Sequence, residues 1–493
     1  MGMPWSIYSD EISKALFNWV KVRYEIDGYS EEALSTLPVL YNYISSSSGV
    51  IKNVTAIVQE TAIAKKLDLC KGYESIVSTV RDMYERFIAS QGLKSRVDII
   101  VAPGCGRFLN RFADGDRHID IHICGNVADF FYYIFMKLSS ILLNVVNENT
   151  EKLIVHLDLS HGVNYMPTLT RAALMELLPI VATYSTFQKV VLKVYNSEPV
   201  MRNALKESYT IHVVEEVIFK NNNIYHFPPI FEGINQPRFF TVNKQCYIEP
   251  SNLAEIGKEI TKSSNQIIEE LNLTDIDRVN AFAGSLINGL PLLALESIPH
   301  ANLEQFIDKV IREYKGFTSI TYHDGGNIII NISRRASISS QVKALTKILL
   351  AKELIARHIE EMYIHEKGVS LKQLEKIIKR LYSWNSRLKI TINSDYHTIK
   401  KMLDERGFEQ WTRLIEILGT ENEMNCKEEL EKLDRFGRNF LQHSGLHRCI
   451  TEVKVERAEE GKVARIRYIE SITSNTELRK KVYEIATKGI VKI

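Results

Sequence analysis

Leu153-Ile154-Val155-His156-Leu157-Asp158-Leu159, running directly into Ser160-His161-Gly162-Val163-Asn164, is the stretch that decides the fold class. Seven residues rich in Leu, Ile and Val read as a buried strand, and the polar, glycine-containing pentapeptide reads as the turn that ends it. A helical pattern over 167–182 follows, then a second apolar run, Val190 to Tyr195. Upstream the same alternation holds. Val54-Thr55-Ala56-Ile57-Val58 is a strand and 73–91 an amphipathic helix; Val97-Asp98-Ile99-Ile100-Val101 is a strand and 126–146 a helix. Short β-branched strands alternating with helices predict a Rossmann-like parallel sheet with helices on both faces. Ligands of such sheets sit beyond the carboxyl ends of the strands.

Two loops fall at that edge. Ala102-Pro103-Gly104-Cys105-Gly106-Arg107 follows one strand and the Ser160–Asn164 pentapeptide follows another. The exposed amides, hydroxyl, imidazole and side-chain amide of the second suit phosphate and base edges, although an ordinary strand-to-helix turn reads the same way. Gly104 and Gly106 either admit a phosphate or make a tight turn. No full G-x-G-x-x-G follows them, which argues against a dinucleotide cofactor.

Beyond residue 220 the pattern changes. Residues 221–250, with Asn221-Asn222-Asn223, Pro228-Pro229 and Pro237, read as a linker. Helical periodicity then covers 252–271, 276–296, 301–314, 338–366, 370–382, 396–418 and 425–446. A β-hairpin insertion around 316–335 turns at Asp324-Gly325-Gly326-Asn327, and a second hairpin, 452–468, turns at Glu459-Glu460-Gly461-Lys462. The expected organisation is α/β plus all-α: an α/β domain over 1–220, a linker, and a mainly helical domain over 251–493.

At 493 residues, 45% apolar and 25% charged, the chain has ample material for two or three cores. A net charge of +2 argues against sequence-blind coating of nucleic acid but leaves room for a local basic groove. Its six cysteines (Cys70, Cys105, Cys124, Cys246, Cys426 and Cys449) are scattered without a C-x-x-C, so neither a zinc ribbon nor a disulfide framework is expected. The first residues lack a basic start followed by an apolar run, and the most apolar stretch, 130–146, carries Lys137 and two serines. It reads as a buried helix, and an intracellular, cytoplasmic protein without a membrane span is expected.

Chemistry concentrates in Arg438-Asn439-Phe440-Leu441-Gln442-His443. A permanent cation, an amide and a titratable imidazole fall within about one and a half turns of helix. A proton-exchanging ring beside a guanidinium is the equipment for metal-free RNA cleavage. Asn439 and His443, four apart, are expected to share a helix face so that the amide orients the ring. The bare spacing recurs at Arg117 and His122, and a surface arginine beside a satisfied helix histidine fits it equally. Alternation places His118, Asp120, His122 and Cys124 on one strand face, but same-face neighbours stand roughly 7 Å apart, and no metal site is expected. His447 reads as a second imidazole near a groove or as plain surface. The basic runs 376–380 and Lys400-Lys401 read as solvated helix faces.

Taken together, the two halves resemble the CRISPR-associated CARF–HEPN ribonucleases of type III systems. Arg438-Asn439-x-x-x-His443 is similar to the HEPN signature. Leu157 to Pro167 is similar to the CARF ligand loop, where Thr usually stands at Ser160, and Asn288-Gly289-Leu290-Pro291 resembles that family's helical half. The resemblance implies a homodimer, whose further assembly is left open, that binds a cyclic oligoadenylate through its CARF halves. Tetra-adenylate is the commoner activator in this family. It implies a composite HEPN site that cleaves single-stranded RNA without a metal to 2′,3′-cyclic phosphate and 5′-hydroxyl ends.

Carried onto this chain, the resemblance gives His443 proton exchange with the 2′-hydroxyl or the leaving 5′-oxygen. Arg438 stabilises the phosphorane, and Asn439 orients the scissile phosphate or the imidazole. The ligand loops supply Gly104, Gly106, Ser160, His161, Gly162 and Asn164. No cofactor is implied, and slow degradation of the activator near Ser160 and His161 is left open. The start Met1-Gly2-Met3-Pro4-Trp5 departs from the family's opening strand, as though that strand were missing or displaced. Two other readings compete: a CARF sensor whose HEPN-like half only dimerises or binds RNA, and a ligand-responsive transcription factor, for which no recognition helix is found near 370–406.

Overall fold

The computed structural model describes residues 21–47, 50–62, 72–93, 96–114, 117–146, 151–162, 165–200, 206–220, 228–246, 248–325, 328–357, 359, 366–405, 408–418, 423–458, 461–470, 472 and 476–491. The opening Met1–Trp5 segment, Asn164 and Cys70 lie outside them.

In the first half the elements run β1 (Val22–Ile26), β2 (Tyr29–Ala33), α1 (Thr36–Ser47), β3 (Thr55–Gln59), α2 (Tyr73–Ser90), β4 (Asp98–Ala102), β5 (Gly106–Asp114) and β6 (Arg117–Cys124). They continue with α3 (Val127–Val145), β7 (Lys152–Asp158), α4 (Tyr165–Tyr184), β8 (Lys189–Ser197) and β9 (Tyr209–Lys220). After β10 (Phe240–Val242) come α5 (Pro250–Glu270), α6 (Ile276–Asn288), α7 (Pro291–Glu296), α8 (Leu303–Gly316), β11 (Thr318–Asp324), β12 (Ile328–Arg334), β13 (Ala336–Ile338) and α9 (Ser340–Ala356). The last part holds β14 (Val369–Ser370), α10 (Leu371–Leu381), α11 (Ser386–Glu405), β15 (Thr412–Arg413), α12 (Leu414–Leu418), α13 (Glu423–Glu431), α14 (Leu433–Gln442), β16 (Thr451–Ala458), β17 (Gly461–Tyr468) and α15 (Thr476–Ala486).

The strand–helix alternation expected between 54 and 195 is present, but β1, β2, β5 and β9 are strands that the pattern did not place, and the main sheet is mixed and not all parallel. Its order is β2-β1-β9-β8-β7. β7 and β8 are parallel, as a helical crossover through α4 requires, whereas β8 and β9 are antiparallel. β9 follows β8 with no helix between them among the described residues, so the chain simply folds back. β3 and β4 form a separate parallel pair.

A second sheet has the order β11-β12-β6-β5. Here β12, more than 200 residues downstream, pairs parallel with β6, from Ile328 opposite Ile119 to Ser333 opposite Cys124. The β11–β12 hairpin thus covers a strand of the first half. Ile121, Ile330 and Ile332 bury against Val58, Val80, Tyr84 and Val101 beneath it.

The apolar helix α3 is a core element. Asn126 caps it by accepting from the Ala128 amide at 3.0 Å, and Phe130, Ile134, Phe135 and Met136 are almost fully buried. It packs on α4 and on α9 of the second half, so one continuous core runs through both. Asp129 at its start is buried and accepts from the Ile338 amide (2.8 Å) and the Tyr314 hydroxyl (3.1 Å), tying α3 to β13 and α8. Burial lifts its carboxyl to about 6.

Four helical runs are shorter than the periodicity suggests, and the run 338–366 ends as a helix at Ala356. The run 276–296 breaks where Pro291 starts a new helix, 396–418 breaks around β15, and 425–446 breaks at Lys432, whose backbone is extended. The cysteines also depart from expectation. Cys124–Cys246 and Cys426–Cys449 form disulfides, although 122 and 23 residues separate them. Spacing along the chain carries no trace of such folding-made proximity.

Candidate functional site

The helix that carries Arg438 and Asn439 is held from below. Phe436 and Phe440 are fully buried, Phe440 beside Tyr468, and Gly437 lies against Ile485. This leaves Arg438 exposed and Asn439 half-buried. His443 is the C-cap residue rather than a residue of the helix body. Beyond it the chain makes a Schellman turn: Ser444 N–H donates to Leu441 O at 3.2 Å and Gly445 N–H to Phe440 O at 2.8 Å. Ser444 and Gly445 both have positive φ (52° and 80°), and a Cβ on Gly445 would stand 3.0 Å from the Tyr468 hydroxyl oxygen. Glycine is required there by both sterics and dihedral. The turn leaves the His443 side chain 59% exposed at the negative end of the helix, with Nδ1 3.4 Å from Asp395 Oδ1 on α11.

Beneath them lies a buried polar hub that the sequence reading did not find. Glu429 of α13, nearly inaccessible, accepts from the Asn439 amide, from His447 Nε2 (3.1 Å) and from Arg448 (3.2 Å). Burial works against its charge, but Asn439, His447 and Arg448 outweigh it and hold the carboxyl below its usual range. The Cys426–Cys449 bridge ties the two sides of this hub together. Two expectations are corrected. The Asn439 amide turns to Glu429 rather than to the His443 ring. His447 lies neither at a groove nor on the surface but is a buried imidazole, which burial pushes below its usual range despite the pull of Glu429.

The two loops expected to bind ligand take shape at the carboxyl ends of β4 and β7. Ser160 turns inward: its hydroxyl donates to Asp158 Oδ1 (2.6 Å) and accepts from the Ser197 amide (2.9 Å), and its own amide donates to Asp158 Oδ1 (2.9 Å). Asp158 also accepts from Thr36 at 2.5 Å, so the hydroxyl builds the turn. His161 and Gly162 follow in the same turn, and burial lowers the His161 ring below its usual range.

Gly104 is pinned. Its amide donates to Glu60 Oε1 (2.9 Å), its carbonyl accepts from Arg334 (3.0 Å), and a Cβ there would stand 3.0 Å from Thr61 Cγ2. Gly106 opens β5. Tyr165 joins the two loops, its hydroxyl oxygen 2.5 Å from Gln59 Nε2 and 4.0 Å from Cys105 Sγ. Glu60, Arg334, Thr36, Asp158 and Tyr165 were not among the candidates. Only Asp158, a charge ending an apolar strand, left a local sign.

The β6 face that carries Asp120, His122 and Cys124 is engaged in contacts within the protein. Asp120 binds Arg107 and lies 3.0 Å from His122 Nε2, and Cys124 is bonded to Cys246. The His118 side chain lies outside the described residues.

His156 of β7 is stacked on Tyr195 and lies 2.8 Å from its hydroxyl. Burial, with Lys193 nearby, drives the ring down to about 4 from 6.5. A ring held neutral by the fold opposes protonation, so its contribution to stability is complete above pH 6.5 and is lost as pH falls towards 4. Thermal melts across that interval should show the wild type losing Tm more steeply than His156→Gln. Parallel curves would refute the assignment.

Two family models match parts of this chain. Residues 12–199 match the family model described as CRISPR system endoribonuclease Csx1, CARF domain, and residues 385–470 match the HEPN domain of the same family. A protein named CRISPR system endoribonuclease Csx1, from Methanocaldococcus jannaschii, is 28% identical over 503 residues, covering 99% of this chain and 92% of its own. The Arg438–His443 segment falls inside the second match, and both ligand loops fall inside the first. With a CARF match followed by a HEPN match of the same family, the chain belongs to the CRISPR-associated CARF–HEPN ribonucleases.

Proposed function

We propose that this protein is a cytoplasmic, homodimeric endoribonuclease of type III CRISPR antiviral defence, switched on by a cyclic oligoadenylate. It cuts single-stranded RNA without a metal and leaves 2′,3′-cyclic phosphate and 5′-hydroxyl ends. The observation that supports this best is the exposure of Arg438 and His443 from a helix end otherwise locked into the core. The nucleophile belongs to the RNA itself, so the protein has to move two protons and stabilise one charged phosphorane. His443 exchanges protons at the 2′- and 5′-oxygens, and Arg438 neutralises the phosphorane. Asn439, anchored on Glu429, holds the helix in register between them. Two such helices, one from each protomer, would supply one composite site.

The messenger is assigned to the loops of Gly104, Gly106, Ser160, His161, Gly162 and Asn164. Because the Ser160 hydroxyl is engaged in its own turn, its role there is to shape the loop. Activation follows if the ligand favours the dimer arrangement that apposes the two half-sites.

The test is end-labelled RNA incubated with the protein, EDTA and each cyclic oligoadenylate in turn. Cleavage should rise at least about tenfold with one ring size and leave cyclic-phosphate ends. Rates indifferent to every ring would refute the switch. Cleavage lost with EDTA would refute metal independence.

A further inference from the structure

Asp395 stands on α11, 48 residues before His443 in sequence and half-buried beside it. Its Oδ1 lies 3.4 Å from His443 Nδ1, and its Oδ2 accepts from the Ser444 hydroxyl at 3.2 Å. Ser444 holds a left-handed backbone conformation (φ 52°) that a side chain other than glycine or asparagine seldom adopts. Such strain persists where surrounding contacts fix it, and here it aims two consecutive side chains at one carboxylate. An ionised carboxylate only accepts hydrogen bonds, so the ring nitrogen facing it must carry hydrogen. In the neutral ring the lone pair then resides on Nε2, for which no protein partner is found among the described residues.

The geometry points to Asp395 as the positioning residue that fixes the His443 tautomer, hydrogen on Nδ1 and lone pair on Nε2. It takes over the ring-orienting task that Asn439, bound to Glu429, does not perform. The tautomer itself is independent of any activity; its catalytic consequence rests on the ribonuclease reading. In that consequence, Nε2 takes the proton as the 2′-oxygen–hydrogen bond breaks and the 2′-oxygen–phosphorus bond forms. An imidazolium in the composite site returns a proton to the 5′-oxygen as its bond to phosphorus breaks. Asp395 keeps its negative charge throughout and pairs with the imidazolium formed.

Two measurements on the full-length protein test this. Two-bond proton–nitrogen spectra of 15N-histidine-labelled protein in mildly alkaline buffer, assigned with His443→Ala, read the tautomer directly. The wild type should show Nδ1 protonated, Asp395→Asn should shift His443 to the other form or a mixture, and Asp395→Glu should restore it. In activator-stimulated cleavage Asp395→Asn should lower kcat roughly 10- to 100-fold with KM unchanged. A wild-type ring protonated on Nε2, or an Asp395→Asn ring unchanged from wild type, overturns the inference whatever the rates. A loss confined to KM overturns the positioning role. Absence of RNA cleavage by the wild type would refute the ribonuclease reading while leaving the spectra to decide the tautomer.

Discussion

His443→Ala should reduce activator-stimulated RNA cleavage by about a thousandfold or more, and Arg438→Ala by roughly a hundred- to a thousandfold. The first removes the only group in the segment able to exchange protons near neutral pH. The second removes the permanent charge proposed to meet the phosphorane. Because both act on one transition state, the double variant should be barely worse than His443→Ala alone. Neither side chain supports the fold: both are exposed, while Phe436 and Phe440 anchor the helix. Melting temperature and oligoadenylate binding should therefore match the wild type. Cleavage that persists in both single variants would transfer the chemistry elsewhere and leave the HEPN half as a dimerisation or RNA-binding module.

Glu60→Ala should destabilise the protein by roughly 3–5 kcal/mol, seen as a fall of several degrees in Tm. Arg334 is wholly inaccessible, and its guanidinium reaches both Glu60 oxygens, at 2.5 and 2.6 Å, and the Gly104 carbonyl. Tyr73 donates to Glu60 at 2.5 Å, and the Tyr73 and Tyr314 rings lie against the guanidinium. Burial opposes the charge on Arg334, but Glu60 outweighs it and holds the group well above its usual range. Deleting the carboxylate strands that cation in an apolar interior. Adding Arg334→Met to Glu60→Ala should recover most of the loss, since neither charge then remains. A Glu60→Ala protein as stable as wild type, or a double variant worse than the single one, would contradict this account.

What could be read from the chain alone was local. The apolar runs of β7 and β8 and the periodicity of α3 and α4 announce themselves within a dozen residues. So did the cation and imidazole at 438 and 443. What escaped was made by long-range closure. Nothing near Glu60 announces Arg334, 274 residues away, and nothing near His443 announces Asp395. β9 carries a strand pattern whether it pairs parallel or antiparallel, so the mixed sheet could not be foreseen. The amide of Asn439 was expected on His443 because spacing alone describes a helix surface. Glu429 on the neighbouring helix competes for it, and a buried carboxylate is the stronger acceptor.

The seating of β12 against β6 carries a consequence for any attempt to separate sensor from nuclease. A polypeptide ending near residue 250 would bare the amides and carbonyls of 119–124, flanked by the buried isoleucines 121 and 123. That is a sticky margin, ready to recruit strands from other molecules. One continuous core runs through both parts, and a piece cut from it should clump rather than stand alone.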